Sequence, residues 1–176
     1  HGIAVSSLQV VDAVSTLVNG GIRRPVTLLK QRSQIPIAGT RVLAADTSDR
    51  MRMLMRQVVT DGTGRNAGAP GYLVGGKTGT AEKLMNGGYH KEQVIASFVG
   101  TFPMDKPRYV ILAMLDEPKG TQRTQGYATG GWVAAPVVAR VVKRMAPLLG
   151  LKPSQRTEKL PKPGDDLFIA ARATRR

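Results

Sequence analysis

The sequence predicts an α+β fold in which an antiparallel sheet is flanked by helices on both faces. Three observations predict it. Segments 6–19, 47–60 and 132–149 carry apolar residues at helical spacing. Segments 72–82, 93–102 and 108–115 have strand composition and follow one another through short connections. The last two of these are apolar on both faces, as expected of strands inside a covered sheet. Together the three strands form a meander, and no internal repeat is evident.

Each element has a local justification. Ser6, with Gln9 three positions later, makes a capping box for the first helix. Val10, Val11, Val14, Leu17 and Val18 give it one apolar face, and Asn19-Gly20-Gly21 stops it. Residues 22–39 are irregular because Pro25 and Pro36 exclude a helix, with 26–29 as a short edge strand. Thr47 or Ser48 is the expected cap of the second helix. Its stripe is Met51, Leu54, Met55, Val58 and Val59, with the methionines as packing residues rather than a cofactor site. Asp61-Gly62-Thr63-Gly64 then turns the chain, and 65–71 is a loop.

Residues 83–91 read as a hairpin connection around Asn86-Gly87-Gly88. Residues 116–131 read as a long polar loop that leaves the last strand near the start of the strand at 72–82. Pro136 suits the first turn of the final helix, and Pro147 or Gly150 ends it. From 151 to 176 the chain carries three prolines and seven basic residues, which reads as an extended tail with a short helix near 167–173. The expected division is a folded unit at 1–150 and a basic tail at 151–176.

Composition excludes several function classes. At 176 residues the chain is one domain or less. With no cysteine there is no disulfide, thiolate nucleophile or cysteine metal site. The two histidines, His1 and His90, are far apart, so neither a metal nor any other cofactor is expected. Net charge is +14, but the basic residues are spread along the chain and aromatics are only 5%, which argues against nucleic acid as a partner. No signal peptide or membrane span is present, and His1-Gly2-Ile3 reads as a cut from a longer chain whose targeting segment lies upstream.

The chemistry concentrates in 74–82, Val-Gly-Gly-Lys-Thr-Gly-Thr-Ala-Glu. Glycine is poorly tolerated in a strand unless something approaches its backbone closely. Here small residues surround one cation, Lys77, and two hydroxyls, Thr78 and Thr80. On a strand Thr78 and Thr80 share one face, and Lys77 and Gly79 the other. That arrangement suits a strand edge receiving an anionic substrate. A phosphate-binding Walker loop is set aside because Gly71 is read as standing one place too early for its spacing, Tyr72-Leu73-Val74 is strand material and Gly79 starts a helix poorly.

Lys77-Thr78-Gly79, set within 75–81 and preceded by Gly62-Thr63-Gly64, resembles the third signature of the penicillin-recognising serine acyltransferases. The opening stretch 1–9, the strands and Ala134-Ala135-Pro136-Val137 continue the likeness. Residues 1–150 are similar to the C-terminal part of the transpeptidase domain of class B penicillin-binding proteins, of the septal cell-division type. Asp116-Glu117-Pro118-Lys119-Gly120 with 126–136 resembles the alphaproteobacterial members. The resemblance does not extend into the tail.

The family's Ser-x-x-Lys and Ser-x-Asn signatures are absent from this chain. The resemblance therefore implies a partial penicillin-binding/serine β-lactamase-like transpeptidase fold whose nucleophile lies upstream, inactive as a fragment. It implies a peptidoglycan D,D-transpeptidase that cross-links stem peptides ending in D-Ala-D-Ala and binds β-lactams. The alternatives are a D,D-carboxypeptidase and an inactive penicillin-binding sensor domain. Implied partners are the missing N-terminal part of the domain and division-complex membrane proteins, at the periplasmic face of the inner membrane.

Residue roles carry over from the matching signature. Lys77 supplies positive potential and proton movement. Thr78 and Thr80 bind the substrate carboxylate, and the Thr80 N–H forms half of an oxyanion hole. Gly79 lets substrate lie along the strand, and Gly76 allows close passage behind Lys77. Glu82, Tyr89 and His90 either border the substrate channel or, as the preferred reading, are ordinary surface positions, and Thr129, Gly130 and Gly131 are read as rimming the cleft without a catalytic role. Because only three strands are present, the fragment is expected to leave apolar surface uncovered.

Overall fold

The computed structural model describes residues 3–30, 37–85 and 88–153. The chain runs α1 (Ser7–Val18), β1 (Ile22–Arg23), β2 (Thr40–Arg41), α2 (Ala45–Thr60), β3 (Gly75–Met85), β4 (Gly88–Phe102), β5 (Tyr109–Asp116), α3 (Gly130–Val133) and α4 (Ala135–Leu148). One-turn 3-10 segments occupy Arg65–Ala67 and Gln122–Thr124. The tail beyond 153, its expected helix and the Asn86-Gly87 turn lie outside the described residues.

The main sheet is an antiparallel meander in the order β3-β4-β5, with β4 in the centre. Helix α4 covers one face, where Phe98, Phe102, Ala113, Val138, Val142 and Ala146 form the main core. Helix α1 lies on the other face, where the Ser7 hydroxyl reaches Met114 Sδ at 3.4 Å. A second cluster joins Val18 of α1, Met55 of α2, Leu73 and Met104. The expected α+β architecture with helices on both faces is therefore present.

The centre of the core is one ring seated among glycines. Phe98 is fully buried. A Cβ added at Gly64, Gly76 or Gly100 would come within 2.8, 2.6 and 3.2 Å of its ring atoms, respectively. Each of these glycines leaves room that the ring fills.

Several local expectations need correction. Helix α2 begins two residues early, capped by Ala44 without a side-chain bond. Ser48 does not cap it because its hydroxyl is needed elsewhere. Fully buried, it donates to Leu17 O at 2.6 Å and accepts from the Gly20 N–H at 3.0 Å, tying α2 to the end of α1. Leu54 is 39% exposed rather than part of the stripe. Residues 26–29 are not a strand, and the small sheet pairs β1 with β2 instead. Residues 72–74 precede β3, because a turn bridges Ala69 to Tyr72.

The connection expected at 83–91 is mostly strand. The β3–β4 ladder continues past a register shift at Glu82/Lys83 to the pair Met85–Gly88. The final helix is split into α3 and α4 at Ala134, and Pro147 lies inside α4 rather than ending it. Strand β5 is not an inner strand among the described residues. It pairs with β4 alone, and its Met114 is 49% exposed. Ile3, Val5 and Leu8 are exposed in and ahead of α1. Apolar surface is thus uncovered near that edge, as expected of a partial sheet.

The loop after β5 also departs from its expected position. Strands β3 and β5 both run antiparallel to β4, so they are parallel to each other. Asp116 stands opposite Ile95, which stands opposite Ala81. The loop therefore leaves beside the far end of the Lys-Thr-Gly segment and not beside its start.

Candidate functional site

The site is built on the edge of β3 that has no strand beside it among the described residues, where β3 pairs with β4 alone. Its entry is clamped. Arg56 Nη1 of α2 donates to Val74 O at 2.7 Å, and the Met104 N–H donates to Leu73 O at 2.8 Å. Burial pulls the Arg56 guanidinium below its ordinary pKa, and Asp61 opposes this. The group stays cationic at neutral pH. Gly76 faces Phe98 and the Val99 carbonyl so closely that a Cβ would collide with both. Its lack of a side chain thus serves the contact between β3 and β4.

Lys77 and Thr78 start from opposite strand faces, but β3 is an edge and the lysine curls round it. Lys77 Nζ donates to Thr78 O at 2.9 Å and stands 3.5 Å from Thr78 Oγ1. Thr63 Oγ1, from the turn after α2, is 2.9 Å from Thr78 Oγ1, and either hydroxyl is able to donate. One ammonium and two hydroxyls therefore converge at the exposed strand edge. Charge-assisted and hydroxyl hydrogen bonds of this kind suit a carboxylate.

Behind this edge lies α3. The Gly130 N–H donates to Thr80 Oγ1 at 3.2 Å. A Cβ at Gly130 would strike Ser97 O and Gly79 O, and one at Gly131 would strike Thr63 O. Asn66 Nδ2 donates to Gly131 O at 2.9 Å, locking α3 to the 3-10 turn after α2. These two glycines let the start of α3 lie flat against the backbone of β3 and β4. Thr80 is consequently held from below while its strand edge stays open. At Gly79 a Cβ would meet only the Ser97 hydroxyl, at 2.5 Å, which is free to rotate away.

Beyond Thr80 the strand borders a cavity of about 490 Å3, whose other side is the loop after β5. Lys83 fixes that loop. Its Nζ donates to Glu117 Oε1 at 2.8 Å and pairs with Asp116 Oδ1 at 2.9 Å. The bond to Glu117, then that to Asp116, holds the Lys83 ammonium above the ordinary lysine pKa. A smaller hollow of about 280 Å3 lies by Thr63, Asn66, Gly131 and Trp132.

The structure brings Lys77, Thr78 and Thr80 to one edge, with Gly76 packed on Phe98 and the Val99 carbonyl and Gly79 facing the Ser97 hydroxyl. Thr129–Gly131 underlies that edge, beside the cleft as the sequence reading had it. Glu82 lines the larger cavity, whereas the side chains of Tyr89 and His90 lie outside the described residues. Three contributors carried no role in the sequence reading. Thr63 was visible only as the middle of Gly62-Thr63-Gly64. Lys83 and Glu117 had no signal, because their pairing depends on β3 and β5 running parallel.

The Walker reading is excluded by conformation. Four residues do separate Gly71 from Gly76-Lys77-Thr78, so spacing alone permits it. Lys77 and Thr78 are nevertheless inside a strand, with no helix following them.

Residues 1–143 match the family model "Penicillin binding protein transpeptidase domain". The chain is 44% identical over 161 residues to the "Probable peptidoglycan D,D-transpeptidase FtsI" of Caulobacter vibrioides, covering 86% of this chain and 27% of that protein. It is 42% identical to the "Stage V sporulation protein D" of Bacillus subtilis, covering 87% of this chain and 24% of that one. Among solved structures, the transpeptidase domain of Burkholderia pseudomallei penicillin-binding protein 3 superposes with a TM-score of 0.77 at 38% identity, covering 87% of this chain and 45% of that chain. Penicillin-binding protein 3 of Mycobacterium tuberculosis, solved with ampicillin, gives 0.73 at 29% identity over 93% of this chain and 38% of that chain. The chain spans about a quarter of the length of the first curated relatives it matches. With its Lys-Thr-Gly strand, its meander and its closing helix in this correspondence, the chain belongs to the penicillin-binding protein transpeptidase domain family, among the FtsI/PenA-type class B members.

Proposed function

We propose that this chain is the C-terminal part of a serine D,D-transpeptidase domain that cross-links peptidoglycan stem peptides during septal wall synthesis. The observation that carries the reading is the convergence of the Lys77 ammonium with the Thr78 and Thr63 hydroxyls at a free strand edge. The edge is shaped for a peptide's terminal carboxylate, and the family supplies the acyl-transfer chemistry. Residues 1–150 form the domain portion and 151–176 a basic tail.

In this reading a serine on the upstream part of the domain attacks the D-Ala-D-Ala carbonyl. Lys77 lends positive potential to the cleft and assists proton movement. Thr78 and Thr80 hold the carboxylate of the stem peptide or of a β-lactam. The Thr80 N–H forms half the oxyanion hole, with Gly130 steadying its side chain from below. Gly79 lets the substrate strand lie against β3, and Gly76 keeps β3 seated on β4. A second stem-peptide amine then resolves the acyl-enzyme. The whole protein would work at the periplasmic face of the inner membrane, beside division-complex membrane proteins.

The test is acylation of the full-length protein by a fluorescent penicillin, followed by intact mass. One label per chain on a serine outside these residues supports the reading. Lys77→Met should slow labelling by about 10²–10³, as does removing one preorganised charge-stabilising group. A folded full-length protein that takes no label refutes it and favours a penicillin-family binding domain.

A further inference from the structure

Residues 22–30 and 37–44 belong to an arm that the carboxylate site does not use. It leaves the end of α1, pairs β1 with β2, and returns to the start of α2. Helix α2 has 16 residues and is about 24 Å long, with the arm at its start and the Thr63 turn at its end. The arm thus stands a helix-length away from that turn.

Its root is built. Arg41 Nη1 donates to Gly20 O at 2.7 Å and to Leu43 O at 3.1 Å. The Asn19 amide bonds both the N–H and the carbonyl of Ile22. Arg24 Nε donates to Ile37 O at 3.2 Å, and a Cβ at Gly39 would collide with Arg23 O. The two limbs are therefore held side by side. They border a hollow of about 400 Å3 lined by Arg23, Pro25, Ala38, Thr40 and Val42.

The arm shows solvent both apolar and cationic groups. Leu28 and Leu29 are 95% and 80% exposed, and Val26 and Val42 are exposed as well. Between 22 and 45 the sequence has five basic residues and no acidic one. Among the described residues one carboxylate pairs with the arm, that of Asp12 with Arg23 at 3.3 Å. Exposed apolar side chains grouped with charged ones on so short a segment suit a protein contact.

We propose that this arm docks an acidic segment of a partner protein, one that carries an apolar anchor. The anchor fills the hollow against Pro25, Ala38 and Val42. Carboxylates beside it pair with Arg24 and Lys30, for which the arm's own sequence supplies no competing acid. A lipid surface or an anionic wall polymer would match the charge but has no side chain to fill the hollow. Nothing in this contact depends on the acyl-transfer site.

A photo-crosslinking residue in place of Val42 of the full-length protein, in the cells that produce it, identifies the occupant by mass spectrometry. The expected adduct is a protein segment of net negative charge with an apolar residue at its centre. A synthetic peptide of that segment should bind the purified full-length protein less tightly as salt rises. The double variant Arg24→Glu/Lys30→Glu should lose about tenfold in affinity, and a peptide with its acids changed to lysine should prefer that variant to wild type. Leu28→Ser and Leu29→Ser alter side chains that lie in water and should weaken binding too, which keeps the test open if the charge variant folds badly. Labelling by fluorescent penicillin should be the same in every variant as in wild type. No adduct, an adduct with lipid, glycan or a neutral or basic segment, or binding indifferent to the variants overturns the docking site. A wild type that takes no penicillin yet gives the acidic adduct overturns the transpeptidase reading alone.

Discussion

Gly76→Ala tests whether the glycine before Lys77 is there for packing. An added Cβ would strike the Val99 carbonyl and lie 2.6 and 2.7 Å from Phe98 Cζ and Cε1. Carbon atoms prefer about 3.5–4.0 Å, so the ring would have to retreat by roughly 1 Å. It has no room, because Gly64 and Gly100 also press on it, and the carbonyl is fixed by the β3–β4 ladder. Forcing a methyl into a packed core costs about 1–3 kcal/mol, and a fixed backbone neighbour places this case near the top. Replacing glycine returns about 0.4–1 kcal/mol through the unfolded chain. The net loss is about 2 kcal/mol, or roughly 3 °C in Tm for a whole domain about twice the length of this chain, at about 2.1 cal/mol/K per residue. Calorimetry of the full-length protein reads it, with Gly88→Ala as control, since nothing lies within 4 Å of a Cβ there. A Gly76→Ala protein melting within about 1 °C of wild type would refute the packing argument.

Gly79→Ala should behave in the opposite way. The Ser97 hydroxyl can rotate clear, so Tm should barely move, while penicillin acylation falls by about tenfold or more because substrate is held off the strand. Ser48→Ala leaves Leu17 O and the Gly20 N–H without their partner and should cost about 1–3 kcal/mol in chemical denaturation. Lys83 gives a pH prediction. Its pKa is raised in the fold, so its support of the loop is complete below the unfolded lysine value of about 10.4 and is lost as pH rises through the higher folded value. Fluorescence of Trp132, which stacks on Tyr127 at 5.4 Å, should report loop loosening in that alkaline range, and Lys83→Met should remove the transition.

The sequence made the meander and its helices legible because their signals are local. Ser6 and Gln9 cap α1 as their spacing requires, with Gln9 N to Ser6 Oγ at 3.3 Å and Ser6 N to Gln9 Oε1 at 2.7 Å. Nearly continuous apolar runs of strand-forming residues set β4 and β5, and Lys-Thr-Gly marked the edge. What was not legible depends on distant partners. Ser48 has the composition of a cap but bonds a carbonyl 31 positions away. Lys83 looks like the start of a turn but continues a strand, because Asp116 and Glu117 arrive beside it. Thr63 gains meaning only when the turn after α2 reaches Thr78. Glycines 130 and 131 read as the end of a polar loop, yet they open a helix, and the backbone beneath leaves no room for a Cβ.

The bond from Gly130 to Thr80 spans 50 positions of chain and so imposes an order in time. At about 5–20 residues per second, the Lys-Thr-Gly segment leaves the ribosome several seconds before the residues that underpin it. A polypeptide halted in that interval would display the complete signature with nothing beneath Thr80. The signature is therefore not a mark of a finished cleft: the cleft matures only once α3 has been made, and a truncation that spares every signature residue would still leave it unsupported.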